Sequence, residues 1–444
     1  MTSPAVRAAG VRRRVLVVAY YFPPLGLSGV QRVAKWCKYL PSAGWDVTVL
    51  TVEPSAYFAF DETLLQEVEC AGVDIVRTRP MDPTRRGERK NVPFPSERRR
   101  KLFTWLTGLF FLPDNKRGWK GAALEAWNDI QQPGSFDLVF SSAPPYTGFL
   151  VGSALAQKAG VPHVMDYRDD WMDNPRHRYP TVWHRRRHGK LETRVLEQAS
   201  FVTTINSVIA DRIKSRSPGV EVRVVPQGFD PEDMSPTDGI PLEMTAERAL
   251  ESESPRRPVR FLYAGMFYDA QQPDTFLNAL SALKKRIPDL AGRLEARFVG
   301  LFPDEKVSLI AALGLEDVVH LTGYQSHVDT IRELMSADVL WMTIGHQEGE
   351  EMISTGKLFE YMGTKKPILA LIPEGAAKEA LKGYQACWTC NPEDVDSVSD
   401  TIASLLDLAR TDTLPKGEDE WILPLDRSRQ AHLLAGWFDE LLDS

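Results

Sequence analysis

The chain has 444 residues, 43% hydrophobic and 25% charged, with a formal net charge of −7. Those values are ordinary for a globular protein and leave room for two or three domains, each able to bury a core. No apolar run approaches the roughly 18 residues that a spanning helix needs, so no spanning helix is expected.

The charge is uneven. Residues 1–235 hold 33 Lys and Arg against 25 Asp and Glu, a balance of +8, and the remainder holds 20 against 35, a balance of −15. A basic front and an acidic rear predict two domains with different partners. The basic residues are not interleaved with aromatics in the manner of a nucleic-acid module, so no nucleic-acid partner is expected.

Arg12 to Arg14 lead into a short apolar run, Val15–Ala19, which is broken by Tyr20-Tyr21-Phe22-Pro23-Pro24. It has no small-residue cleavage site, so it reads as a first strand and not as a signal peptide, and a cytoplasmic protein is expected. Short β-branched runs then alternate with helical spacing. Strands are predicted at Val47–Leu50, Val73–Val76, Leu138–Ser141, His163–Asp166 and Phe201–Thr204. In the rear half they fall at Phe261–Tyr263, Ala296–Val299, Val319–Leu321, Val339–Met342 and Ile368–Leu371. Helical spacing marks Val30–Leu40, Leu191–Ala199, Thr275–Leu283, Val328–Ser336 and a final Arg427–Leu442. This alternation predicts an α/β protein with two doubly wound parallel sheets. The expected division is a front domain over 1–228, a linker or insert over 229–258 and a rear domain over 259–426, with 427–444 joining the front domain.

In open α/β sheets ligands sit off the carboxyl ends of the strands. Two domains facing each other would place such loops around a central cleft. The loop after the first strand carries Gly26, Ser28 and Gly29; its glycines permit a tight turn and close approach to a ligand, and the following helix start offers N–H groups to an anion. It is neither a P-loop nor a dinucleotide fingerprint. Near the C-terminal end, Ser354-Thr355-Gly356 opens an amphipathic stretch with Lys357 beside the turn and Glu360 three residues further on. That segment has two readings: an anion-holding turn with a carboxylate for ribose hydroxyls, or an ordinary capped helix packed on a strand.

Two further features have bland readings. Cys387-Trp388-Thr389-Cys390 is a CxxC without a second ligand pair nearby, and a Trp between the cysteines suits a packed strand. The histidines are scattered without ligand spacing, so no metal is expected. Arg98-Arg99-Arg100-Lys101 precedes a run of Leu, Phe and Trp to Leu112, with a second basic cluster at Arg185-Arg186-Arg187. Either a basic, aromatic-flanked segment touches a lipid interface as a peripheral contact, or a front-domain helix buries its apolar face and solvates its basic end.

Several segments in order resemble one family. They are Tyr20–Pro24 with Gly29-Val30-Gln31-Arg32, Pro113-Asp114, Ser141-Ser142-Ala143-Pro144-Pro145 and Asp166-Tyr167-Arg168-Asp169-Asp170-Trp171. Pro226-Gln227-Gly228, Gly323-Tyr324 and Gly356–Met362 complete the set. Together they resemble bacterial glycosyltransferases of the GT-B fold, in the large retaining family 4. The resemblance implies transfer of a sugar from a nucleotide-diphosphate donor, UDP- or GDP-linked, without a bound metal or other cofactor. The acceptor would be a cell-surface glycan or a lipid-linked intermediate, and the protein would be cytoplasmic or peripheral at the inner face of the membrane.

By the same resemblance, the rear domain would hold the donor. Ser354, Thr355, Gly356 and Lys357 would take the diphosphate and Glu360 the ribose, with Gly265, Tyr324 and Glu351 around the sugar. Gly26, Ser28 and Gly29 would approach the phosphates from the front domain. Arg168 and Asp169 are the expected catalytic pair, standing where relatives often place a histidine; the alternative is a structural pair supporting Trp171. Pro145, Tyr146 and Asp166 are expected to face the acceptor. Gln271 stands where a basic residue is usual, and Met352 stands where a first glutamate is usual, eight residues before Glu360. These departures also fit a tailoring transferase for a small molecule, or an inactive sugar-nucleotide-binding partner.

Overall fold

A computed structural model describes residues 12–81, 89, 92, 97–131, 135–175, 177, 179–234 and 257–444; the side chains of Ser28 and of residues 97–101 lie outside that description. The chain divides into two units, Met1–Pro226 with Arg427–Ser444, and Gln227–Asp426. Most of the expected linker, residues 235–256, lies outside the described residues. Its start belongs to the second unit, where the Phe229 N–H donates to the Leu425 carbonyl at 3.1 Å.

The first unit holds seven strands: β1 (Arg13–Val18), β2 (Trp45–Val52), β3 (Asp74–Thr78), β4 (Leu138–Ala143), β5 (His163–Tyr167), β6 (Phe201–Thr204) and β7 (Val222–Val224). Their order is β3-β2-β1-β4-β5-β6-β7 and every pairing is parallel. Alternate residues of β1 feed opposite faces, as a pleated strand requires. Val15 and Val17 join a core with Trp36, Trp45 and Phe438, while Leu16 and Val18 join another with Trp119 and Trp127. Both faces are therefore covered, which explains why the strands read as continuous apolar runs. The terminal Arg427–Asp443 helix closes the first of these cores, with Phe438 5.4 Å from Trp45 and 5.7 Å from Phe140 between ring centres.

The second unit holds six parallel strands: β8 (Val259–Ala264), β9 (Leu294–Val299), β10 (Val319–Gly323), β11 (Val339–Thr343), β12 (Ile368–Leu371) and β13 (Cys387–Cys390). Their order is β10-β9-β8-β11-β12-β13. Phe261 and Tyr263 pack with Trp341 and Phe276 on one face, and Leu262 and Ala264 pack with Leu340 and Met342 on the other. Phe276 stacks flat on Trp341 at 3.8 Å. The CxxC lies on β13; burial pushes the Cys387 thiol up to about 12, so it is not a ready thiolate, and Cys390 Sγ contacts the Thr401 hydroxyl at 3.3 Å.

In each sheet the winding direction reverses once, between β1 and β4 and between β8 and β11. The loops after these four strands are the places where a doubly wound sheet opens to a ligand. They contain most of the residues singled out from the sequence.

Candidate active site

In the second unit the site is built around the Gly356–Gly363 helix, which lies between β11 and β12. Thr355 precedes it with extended backbone, and no side chain caps the N-terminus. The Leu358 N–H turns back to the Thr355 carbonyl at 3.1 Å, which leaves those of Gly356 and Lys357 to face an external anion. The helix is pinned to the end of β8 by a hydrogen bond from the Ala264 N–H to the Tyr361 hydroxyl at 2.8 Å. Lys357 lies one turn before Tyr361 on the same face, and its ammonium donates to the Tyr263 hydroxyl and stands 4.0 Å over that ring. Tyr263 is fully buried in β8 and donates to the Met266 carbonyl at 3.1 Å. Burial pushes Lys357 down from 10.5 to about 7, and Glu360 only partly offsets this. A half-buried cation resting on a phenol and a π face is positioned for a strong anion.

The floor beneath Lys357 is made of backbone. Gly265 has φ of +131°, and a Cβ there would lie 3.0 Å from Lys357 Nζ. Gly300 has φ of +120°, and its Cβ would fall 2.3 Å from the Gly265 carbonyl oxygen. The Gly265 N–H donates to Val299, and the Gly300 N–H to Gly323, both at 2.8 Å. These glycines let the ends of β8, β9 and β10 step across the sheet edge in close contact. Gly300 was not legible as a site residue, because a lone Gly after an apolar run carries no distinguishing signal. Tyr324 follows Gly323 and is 45% exposed.

The adjacent glutamates before the helix, Glu350 and Glu351, differ in their surroundings. Glu350 spends its oxygens locally, on His346 Nδ1 at 2.8 Å and on the Gln347 N–H. Glu351 lies against Gly375, where a Cβ would come 2.6 Å from its Cα. Met352 is buried. Gln271, in the loop after β8, is 1% exposed, and neither its amide nitrogen nor its amide oxygen has a hydrogen-bond partner among the described residues.

In the first unit, several expectations require correction. The turn after β1 is not made by its glycines, since Leu27 carries the positive φ, 72°. The Gly26 N–H is consumed by the Ala59 carbonyl at 2.9 Å, so it offers nothing to a phosphate. Gly29 is exposed, and a Cβ there would meet only Arg168 Nη1 at 3.8 Å, ordinary contact distance.

Asp166 does not face an acceptor. It is 0% exposed, and its carboxylate accepts from Arg32 Nη2 at 3.0 Å, Arg32 Nε at 3.3 Å, Ser142 Oγ at 2.8 Å and Thr203 Oγ1 at 2.9 Å. Arg32 also donates to the Val225 and Pro226 carbonyls. With four donors on two oxygens, Asp166 ties β4, β5 and β6 to the helix after β1.

Tyr146 is likewise internal. Its ring stacks on Trp171 at 4.7 Å and its hydroxyl donates to the Asp170 carbonyl at 2.6 Å, while Pro145 beside it is buried. Trp171 in turn donates to His188 Nδ1 at 3.0 Å, and burial holds that imidazole neutral, down at about 3. Trp171 is thus supported by Tyr146 and His188 and not by Arg168. Arg168 is buried and donates to the Gly29 and Pro144 carbonyls, while its Nε–H has no partner among the described residues. It staples the loop after β1 to the loop after β4, across the switch point of the sheet. Asp169 is half-buried.

Two family models match the chain in sequence. A glycosyl transferase 4-like domain matches residues 28–228, and a glycosyl transferases group 1 domain matches residues 258–408. No curated protein matches the sequence. Solved structures share the fold at low identity. HepE from Anabaena, in complex with UDP and glucose, is 15% identical with a TM-score of 0.63, over 97% of this chain and 100% of that one. Sucrose-phosphate synthase from Thermosynechococcus elongatus is 17% identical with a TM-score of 0.64, over 97% and 99%. WaaG, a glycosyltransferase of lipopolysaccharide biosynthesis, is 13% identical with a TM-score of 0.58, over 97% and 98%. The second sheet thus falls within one matched domain and the first, apart from β1, within the other, and the chain belongs to the glycosyltransferases of GT-B fold.

Proposed function

We propose that this glycosyltransferase moves a sugar from a UDP- or GDP-sugar to a cell-surface glycan or lipid-linked acceptor, with retention of configuration and without a bound metal. The observation that carries the reading is Lys357, which sits over Tyr263 beside an uncapped helix start. Departure of a nucleoside diphosphate builds negative charge, and fixed N–H donors with a lysine stabilise it where a divalent cation would otherwise serve. Ser354, Thr355 and Gly356 then take the diphosphate, Glu360 the ribose hydroxyls, and Glu351 and Tyr324 the sugar. HepE, with the same fold, has been solved in complex with UDP-glucose, which favours a uridine donor. In the first unit, Gly29 and the Ser28 backbone approach the donor, Arg168 shapes the loops as a positioning residue, and Asp169 orients an acceptor hydroxyl. Retention and the acceptor class rest on the family resemblance.

A thermal-shift screen of UDP, GDP, ADP and TDP tests the donor. One nucleotide should raise the melting temperature, because a ligand selective for the folded state stabilises it directly. Equal silence from all four would sink the nucleotide-sugar reading. Glu360→Ala should weaken the active nucleotide roughly tenfold or more, the loss of a hydrogen bond to a charged group; calorimetry reads it. Gly265→Ala should do comparable damage through Lys357, since its Cβ would lie 3.0 Å from the ammonium at a strained φ.

A further inference from the structure

We propose that the Glu97–Phe110 helix and the first turns of the Val182–Leu196 helix form a docking surface for an anionic lipid bilayer. The sequence offers two readings of the first helix, and the one in which its apolar face is core fails. Leu102, Leu106 and Phe110 recur at i, i+4 and i+8 and form one stripe. With Phe103 and Trp105 they are between 42% and 78% exposed. An amphipathic helix normally turns such a stripe inward. Here it faces solvent.

The second helix extends the patch. His184 Nε2 lies 3.4 Å from the Leu109 carbonyl, which brings the two elements together, and Val182 and Trp183 are 68% and 56% exposed. Its orientation is fixed from beneath, because His188, Glu192, Val195 and Leu196 are buried. Arg185, Arg186, Arg187 and Lys190 therefore remain on the solvent side with the apolar tip. Arg187 lies 4.4 Å over the Trp183 ring, and Arg185 pairs with Asp173 at 2.8 Å. No acidic residue occurs between Val182 and Leu191, or between Arg98 and Leu112. An aromatic and leucine surface rimmed by cations matches the headgroup region of an anionic membrane.

One other occupant is less consistent with that charge. A second copy joined by a two-fold axis would set the basic rim against itself. No helix among the described residues is long and apolar enough to cross a membrane. The proposal rests on the lipid-linked acceptor only for its purpose, because lipid binding is measured without donor or acceptor.

The full chain should co-sediment with vesicles of phosphatidylcholine and phosphatidylglycerol, weakly or not at all with phosphatidylcholine alone, and less as salt rises. Phe110→Ser, Trp183→Ser and the pair Arg186→Glu with Arg187→Glu should each weaken this roughly tenfold or more, with unchanged melting temperature because the residues are exposed. Three results would overturn the proposal: no binding to anionic vesicles at low salt, equal binding by wild type and variants, or concentration-dependent self-association that Phe110→Ser abolishes. Any of them leaves the donor assignment untouched, and a silent nucleotide screen leaves the lipid result untouched.

Discussion

Asp166→Ala should destabilise the first unit by about 3–5 kcal/mol, the cost of removing one partner from a buried ion pair. Arg32 would be left 2% exposed with its charge unopposed, and the Ser142 and Thr203 hydroxyls would lose their acceptor. At roughly 2–4 °C per kcal/mol for a domain of this size, the melting temperature should fall by about 10 °C. Asp166→Asn should lie between, since the amide keeps one acceptor oxygen but turns a donor toward Arg32. Chemical denaturation with and without nucleotide measures this. The competing expectation, an aspartate that orients the acceptor, predicts the reverse pattern: unchanged stability and a raised KM for acceptor. Wild-type stability in Asp166→Ala would restore that expectation.

The contrast between Asp166 and Lys357 marks what one dimension carries. Parallel strands covered on both faces are unbroken apolar runs, and Val15–Ala19 or Ile368–Leu371 can be placed within a residue or two. The three-residue edge strand at Val222–Val224 escapes, because it is short, half-exposed and interrupted by Arg223. The helix start at Ser354–Gly356 was equally legible, since small residues, a lysine and an apolar period fall within one turn of each other. Asp166 was misplaced for the complementary reason. Its partner Arg32 is 134 residues away, and a strand-end carboxylate looks the same whether it faces a ligand or a buried guanidinium. The contacts of Arg168 are backbone carbonyls, which no motif encodes. The stripe at Leu102, Leu106 and Phe110 differs again: its period fits either a buried or a lipid-facing helix, and only tertiary placement shows these side chains exposed.

Lys357→Met should cost roughly 10²- to 10³-fold in transfer, the usual loss when one preorganised electrostatic donor is removed, and should weaken nucleotide binding by calorimetry. The pH dependence identifies the lysine as the cause. Without ligand its pKa is pushed down to about 7 by burial, so above that pH much of the population holds a neutral amine. A diphosphate favours the ammonium, so binding above pH 7 must take up a proton, and affinity should fall by up to tenfold per pH unit there. Below pH 7 the lysine is already charged and contributes no slope. Lys357→Met should flatten the profile above pH 7, and calorimetry in two buffers of different ionisation enthalpy should lose the proton uptake. Stability without ligand follows the other side of the same linkage. Between about 7 and 10.5 the unfolded chain holds more protons at this position than the folded one, so stability rises with pH across that window. Below pH 7 the full penalty of a charged, desolvated lysine is present, and Lys357→Met should then be more stable than wild type. A variant that is at once more stable and less active is the signature of a residue held in strain for a ligand. Unchanged affinity with an unchanged pH profile would remove Lys357 from the donor site.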